Sequence, residues 1–432
     1  MKKVPHFTKE RDSQATKIQK VNQMFKKRKI GLSLLGGRIL TNLADSILYI
    51  LIVWIFNEQF SSPILLSLVF MTTSIIDSLS VFLGPIVDRT EPKFNLYFMS
   101  LLQVISVAVL LVISFFMDQT KFAFNILLLV FLLIVYTASS MIYPSGTKLI
   151  PVIAKENGLV QVNSLFRTTE KVLDVTFNAV STVIITFLKL DHILIIILCL
   201  FYIATRLYRL VDKGLRGADP VPTQETEGYT VSEYLTDLRD GIREVKYHPD
   251  VLWLFLPLTV LNLFYGIAAV GLPIISGEYI SDKAYGYGSL LMCSSIGGVL
   301  GAMLIGRFAE SVNKPKKYAC IFLMIAGVSW LFIPITMPFC FLLSYPLIFI
   351  SNCAINMMNV MFLSLIQKQI DLSLLGRVST FTESLVSVMV PIGNFLCGFL
   401  LLVVSPLCAE LFYGIALILC SAAYLIMKTK NA

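Results

Sequence analysis

The sequence predicts an all-α membrane protein: twelve transmembrane helices in two pseudo-symmetric six-helix bundles. Three observations carry that prediction. Of 432 residues, 56% are hydrophobic and only 14% charged, with a mean hydropathy of +0.79, whereas a soluble domain carries roughly 25% charged residues. Twelve apolar stretches run through the chain, each near the ~20 residues that a helix rising about 1.5 Å per residue needs to cross roughly 30 Å of hydrocarbon. Finally, Lys and Arg collect in the two tails and in alternate connections between the stretches.

Taken in order, residues 1–30 form a polar, basic tail ending in Lys26-Lys27-Arg28-Lys29 directly before the first span. Such a cluster is drawn to anionic lipid on the cytoplasmic face. The net charge of +8 is therefore read as a membrane flank, and no nucleic-acid partner is expected. The tail has no apolar region suited to a cleavable signal peptide, so the first span is expected to lead insertion. Spans follow near 31–56, 63–83, 94–117, 122–144, 164–188 and 191–211, making a first bundle over 31–211. Residues 212–250, rich in charge and including Arg239, Arg243 and Lys246, read as a cytoplasmic linker. Six more spans lie near 251–275, 286–305, 318–340, 344–366, 376–402 and 405–427, a second bundle over 251–427, with a short cytoplasmic tail at 428–432.

Counting gives the orientation. Of 35 Lys and Arg, 29 fall in the tails, the linker, the connections after spans 2, 4, 8 and 10, and their helix margins; the opposite connections hold only Lys121, Lys189 and Lys283. That asymmetry predicts both termini in the cytoplasm of a bacterial cell membrane. One chain with twelve spans already makes a complete pathway, so a monomer is expected.

Ionised side chains are expensive in hydrocarbon and are kept where they face the bundle interior. Five stand out: Arg38 and Asp45 in span 1, Asp77 in span 2, Asp174 in span 5 and Glu383 in span 11. Arg38 and Asp77 come to similar depth on antiparallel neighbours, which predicts an ion pair that clasps spans 1 and 2. Asp45 lies beyond the midplane with no basic residue at its depth and is the candidate for taking up and releasing a proton. In span 5, Arg167, Glu170, Lys171 and Asp174 share one side at spacings of three and four and can neutralise one another. Gly297, Gly298 and Gly301 in span 8 fit close helix packing. Trp54, Tyr136, Tyr143 and Trp330 are candidates for cavity walls or interfacial anchors.

Enzyme chemistry is not expected, because no phosphate-cradling loop or nucleophile constellation is present. No cofactor is implied, and His6, His192 and His248 are too scattered for a metal site. The eight cysteines show no CxxC spacing and read as small buried hydrophobes.

Four motifs then carry a family resemblance. They are Gly84 to Lys93 with Asp88-Arg89; Lys148-Leu149-Ile150-Pro151 running into Gln161-Val162-Asn163-Ser164; Asp237-Leu238-Arg239-Asp240-Gly241 before span 7; and Gln367 with Gly376-Arg377-Val378 and Pro391-Ile392-Gly393. On these, the chain resembles the major facilitator superfamily, and within it the branch of macrolide efflux proteins and the enterobactin exporter. The second-half copy of the first motif, Gly306-Arg307 with Glu310, lacks Asp-Arg. The resemblance implies that Asp88 and Arg89 act as a conformational gate near the start of span 11. Gly84 and Gly306 are expected to make tight exit turns there, with Arg307 as the second-half counterpart.

The expected function is secondary active export of an amphipathic organic compound, a macrolide-like drug among the candidates, driven by the proton gradient. The substrate and protons are the expected partners besides the bilayer. Two alternatives stay open: a metabolite or siderophore transporter, and a receptor or immunity-type protein that keeps the fold without transporting.

Overall fold

In the computed structural model the chain is described at residues 6–60, 62–118, 121–153, 176–177, 179–215, 249–281, 284–308, 314–369, 382 and 384–426. All regular structure among these residues is helical. The helices are α1 (His6–Phe60), α2 (Pro63–Arg89), α3 (Pro92–Phe116), α4 (Phe122–Ile153), α5 (residues 179–187) and α6 (Leu190–Leu215). They continue with α7 (Pro249–Tyr279), α8 (Ala284–Leu304), α9 (Pro315–Thr336), α10 (Ser344–Gln369), α11 (Met389–Leu400) and α12 (Pro406–Ile426). Among the described residues nine helices are long and apolar enough to cross a membrane, and two shorter apolar ones cover Pro63–Ile76 and Ser384–Leu400.

Local chemistry sets the helix ends. Pro92 and Pro315 open α3 and α9 at the first turn, where a missing N–H loses no helical bond and φ is already suitable. The predicted ninth span overruns: α9 stops at Thr336, and residues 337–339 are turn before a 3-10 turn at Phe341–Leu343.

Packing repeats between the halves. In the first, α1 packs on α6 and α2, α3 on α4 and α6, and α2 on α4. In the second, α7 packs on α12 and α8, α9 on α10 and α12, and α8 on α10. Adding six to each helix number converts one set into the other, which is the signature of two related bundles, although α1 also packs on α4 without comparable packing of α7 on α10 among the described residues.

Helix position explains burial. α1 is central, and Ile47, Leu48, Ile52, Val53 and Phe56 on different sides of it are all fully buried. α3 is peripheral: its Phe94, Phe98, Ile105 and Val112 face outward, as an apolar surface against lipid tails must. Within the second half, a β-carbon at Gly297 or Gly301 would overlap the backbone carbonyls of Phe349 and Cys353. The glycine stripe therefore lets α8 and α10 approach to backbone contact, as its spacing predicts.

The halves meet along α2 and α11 and across α5 and α8, a pair that the same shift by six relates. Gly398 of α11 sits against Ile64 and Ser67 of α2, and Gly288 of α8 against Thr182 of α5. Asn57 of α1 lies near Gly277 of α7. All three contacts are at the end of the bundle where α1 finishes and α2 begins, here called the distal end.

Candidate functional site

A cavity of about 460 Å3 lies between the halves, with walls from α1, α2 and α4 on one side and α7 to α11 on the other. Its walls are aromatic. Tyr49 of α1 stands edge-on to Phe70, with ring centres 6.0 Å apart, and 6.2 Å from Tyr136 of α4. Opposite, Tyr265, Tyr287 and Trp330 line the second half. Neutral polar groups complete the lining, among them Ser74, Asn352 and Asn394, and among the described residues no Asp, Glu, Lys, Arg or His lines it. Such a space suits a molecule with broad apolar faces and a few hydrogen-bonding groups.

Hydrogen bonds join the halves at the cavity wall. Asn394 Nδ2–H donates to Ser74 Oγ at 2.7 Å, and Ser78 Oγ–H donates to the Ser387 carbonyl at 3.2 Å. The first ties α11 to α2, and the second ties α2 to the helical turn just before α11.

Asp45 lies one helical turn before Tyr49, on the same face of α1. Ser139, one turn after Tyr136 on α4, donates from Oγ to Asp45 Oδ2 at 2.7 Å. Gln103 Nε2–H of α3 donates in turn to Ser139 Oγ at 2.7 Å. Asp45 Oδ1 is buried with no hydrogen-bond partner. The arrangement is a carboxylate held by a neutral chain Gln103–Ser139–Asp45 just behind the Tyr49–Tyr136 wall. It leaves one oxygen open to a proton.

Arg38 is buried two turns earlier on α1, with its guanidinium 4.1 Å from the centre of the Tyr143 ring. This is a cation–π contact with α4. Asp77, its expected partner, is in the helical backbone of α2, but its side chain lies outside the described residues, as do Asp174 and Glu383 altogether. The expected Arg38–Asp77 pair and span 5 ladder therefore fall outside what is described.

The gate residues bring a correction. Gly84, Asp88 and Arg89 were expected in a connection opening on a tight turn at Gly84, yet α2 continues through all three to Arg89. Ile86 and Val87 carry the apolar run one turn further, and the helix continues although an interior glycine costs about 1 kcal/mol and a proline, here Pro85, about 3 kcal/mol. In the second half, Gly306 and the exposed Arg307 sit in a 3-10 turn over 305–308 that closes α8. Gly306 has open space around it.

One buried acid lies beyond the sequence candidates. Glu410, in the first turns of α12, is fully buried. Trp330 Nε1–H donates to its Oε2 at 3.0 Å, while Oε1 has no hydrogen-bond partner. The available signal is the one that selects Asp45, an acid inside a predicted span. Its place five residues from the span's end makes it look interfacial.

With this geometry in view, comparisons with known proteins agree. A family model described as the Major Facilitator Superfamily matches residues 34–394. The chain is 22% identical over 374 residues to macrolide efflux protein A of Streptococcus pyogenes, a match covering 83% of this chain and 86% of that protein. It is 23% identical over 166 residues to a Bacillus subtilis protein named for bacilysin export, BacE; that match spans 38% of this chain and 41% of the relative's length. Among solved structures, the nucleoside transporter NupG has a TM-score of 0.66 at 13% identity, covering 94% of this chain and 100% of that one. A POT family transporter in complex with 5-aminolevulinic acid reaches 0.70 at 13% identity, covering 93% and 96%. At that identity the two structures speak for the fold alone.

Proposed function

Because the chain belongs to the Major Facilitator Superfamily, we propose that it exports an amphipathic organic compound by alternating access, driven by protons entering the cell. The observation that carries this reading is the aromatic cavity between the halves, lined by no charged side chain among the described residues and backed by the half-satisfied carboxylate of Asp45. A neutral aromatic lining favours a bulky, largely apolar substrate over an anionic siderophore or metabolite, which would need basic groups on the wall. The relatives named for macrolide efflux and bacilysin export support the outward direction.

In this mechanism the first bundle (31–211) and the second (251–427), joined by the linker 212–250, rock about the cavity and expose it to each face in turn. Protonation of Asp45 from the outer face and its release inside would couple the motion to the gradient. Asp77, Asp174, Arg38 and Glu383 are the other coupling candidates, and Asp88, Arg89 and Arg307 the gate. Both termini are assigned to the cytoplasm of a bacterial cell on the Lys and Arg asymmetry, with the monomer as the working unit.

The test is accumulation of a labelled macrolide in a sensitive bacterial host making the protein, with and without a protonophore. Lower accumulation that the protonophore abolishes is the expected result. Unchanged accumulation in cells shown to contain the protein would remove macrolides as substrates.

A further inference from the structure

Glu410 has no part in the mechanism above, yet its surroundings are built. The carboxylate is fully buried between α12, α9 and α7. Oε2 accepts from Trp330, and Oε1 is turned towards Gly271 of α7. A β-carbon on that glycine would come within 2.6 Å of it. Gly271 thus leaves the room that Oε1 occupies, and among the described residues nothing donates to that oxygen. The other titratable groups facing it among the described residues are Tyr413 on its own helix and Cys397 on α11, with Tyr265 of α7 behind Tyr413, while α9 presents Trp330. None of these is a cation, and Glu410 forms no ion pair among the described residues. A purely structural acceptor for an indole N–H would be served by a glutamine or a backbone carbonyl, without a second bare oxygen and without a buried charge to compensate.

Trp330 is what connects this group to the cavity. Its ring lines the wall, and Tyr413 packs edge-on against it at 4.9 Å and against the cavity-lining Tyr265 at 5.8 Å. Any change at Glu410 therefore reaches the cavity surface through one hydrogen bond and one aromatic stack.

We propose that Glu410 is a proton-binding site of the second half, taking its proton on Oε1, and that Trp330 carries its state to the cavity wall. The step is simple: a proton from cavity water adds to the carboxylate to give the acid, and the same proton later leaves to water. This rests on the reading of the chain as a proton-driven carrier, and it gives each half one exchangeable carboxylate, Asp45 and Glu410.

The test uses the purified full chain in lipid nanodiscs, with Trp54→Phe and Trp253→Phe substitutions leaving Trp330 as the single emitter. The expected result is a one-proton transition in Trp330 emission as pH is varied. That transition should be absent in Glu410→Gln, which keeps an acceptor for the indole, and recovered in Glu410→Asp. A transition that persists in Glu410→Gln, or no transition with Glu410 in place, overturns the proposal. Should the tryptophan substitutions impair folding, infrared difference spectra between two pH values, on the chain with its own tryptophans, decide the same question. A carboxyl band lost in Glu410→Gln supports the site, and an unchanged spectrum overturns it. Neither measurement needs a substrate, so a failure of the macrolide reading would leave this result standing, and the reverse.

Discussion

Replacing Asp45 with Asn keeps an acceptor for Ser139 and removes the exchangeable proton. We expect Asp45→Asn to reduce proton-driven export to near the level of cells lacking the protein, while substrate exchange without a gradient in proteoliposomes continues. Loss of both activities would point to a structural role. Ser139→Ala acts differently, because it strips the donor from a buried carboxylate oxygen. The expected effect is a loss of about 1–3 kcal/mol in stability, read as a lower midpoint in thermal unfolding in detergent. Trp330→Phe keeps most of the ring volume and leaves both Glu410 oxygens bare. Its expected cost, for a bond to a charged acceptor, is about 1.5–3 kcal/mol. These side chains are only partly legible in the sequence. Asp45 announces itself as an acid in an apolar run, but Gln103 and Ser139 sit on two other helices, and no periodicity within one helix reveals a chain of hydrogen bonds through three. Glu410 is legible by the same rule, yet its nearness to a span end disguises it as an interfacial acid.

The helices themselves are easier to read, because hydropathy and length are properties of a single segment. Most described helices after α1 fall where the apolar runs do, α9 ending short and the expected spans 5 and 11 being described only in part, and proline starts at Pro92 and Pro315 give α3 and α9 firm beginnings. The end of α2 is the exception, since a glycine next to charges resembles a turn until the helical bonds beyond it are seen. The α8 glycines offer a sharp contrast that can be measured. Gly301→Leu forces a side chain into the carbonyl of Cys353, and overpacking of that kind costs about 1–3 kcal/mol or more. Gly306→Ala meets open space and should leave the unfolding midpoint unchanged. Equal effects of the two would show that α8 and α10 are not held in backbone contact.

The whole molecule is a pair of like bundles that meet at the cavity wall through Asn394 and Ser78 and at the distal end through Gly398, Gly288 and Gly277. Adding a side chain at either of the first two should part the halves there. Spin labels on cysteines replacing Asn57 and Gly277 should report longer separations in Gly398→Val and Gly288→Val than in the parent chain. Unchanged separations would mean that the seal lies elsewhere. The repeat relating these contacts is visible in the sequence only as matching motifs after spans 2 and 8, whereas the pairing of α2 with α11 and of α5 with α8 is a property of the assembled bundles.

The partners across those three glycines are the backbone carbon of Ile64 and the hydroxyl of Ser67, a threonine at Thr182 and an amide at Asn57. None of them is charged. Closure made of such groups gains nothing from Coulomb attraction, so dissolved ions have nothing to screen. These three contacts should accordingly be indifferent to ionic strength, and any response of the distal end to salt has to enter through Glu58, which lines the space beside Asn57 and Gly277.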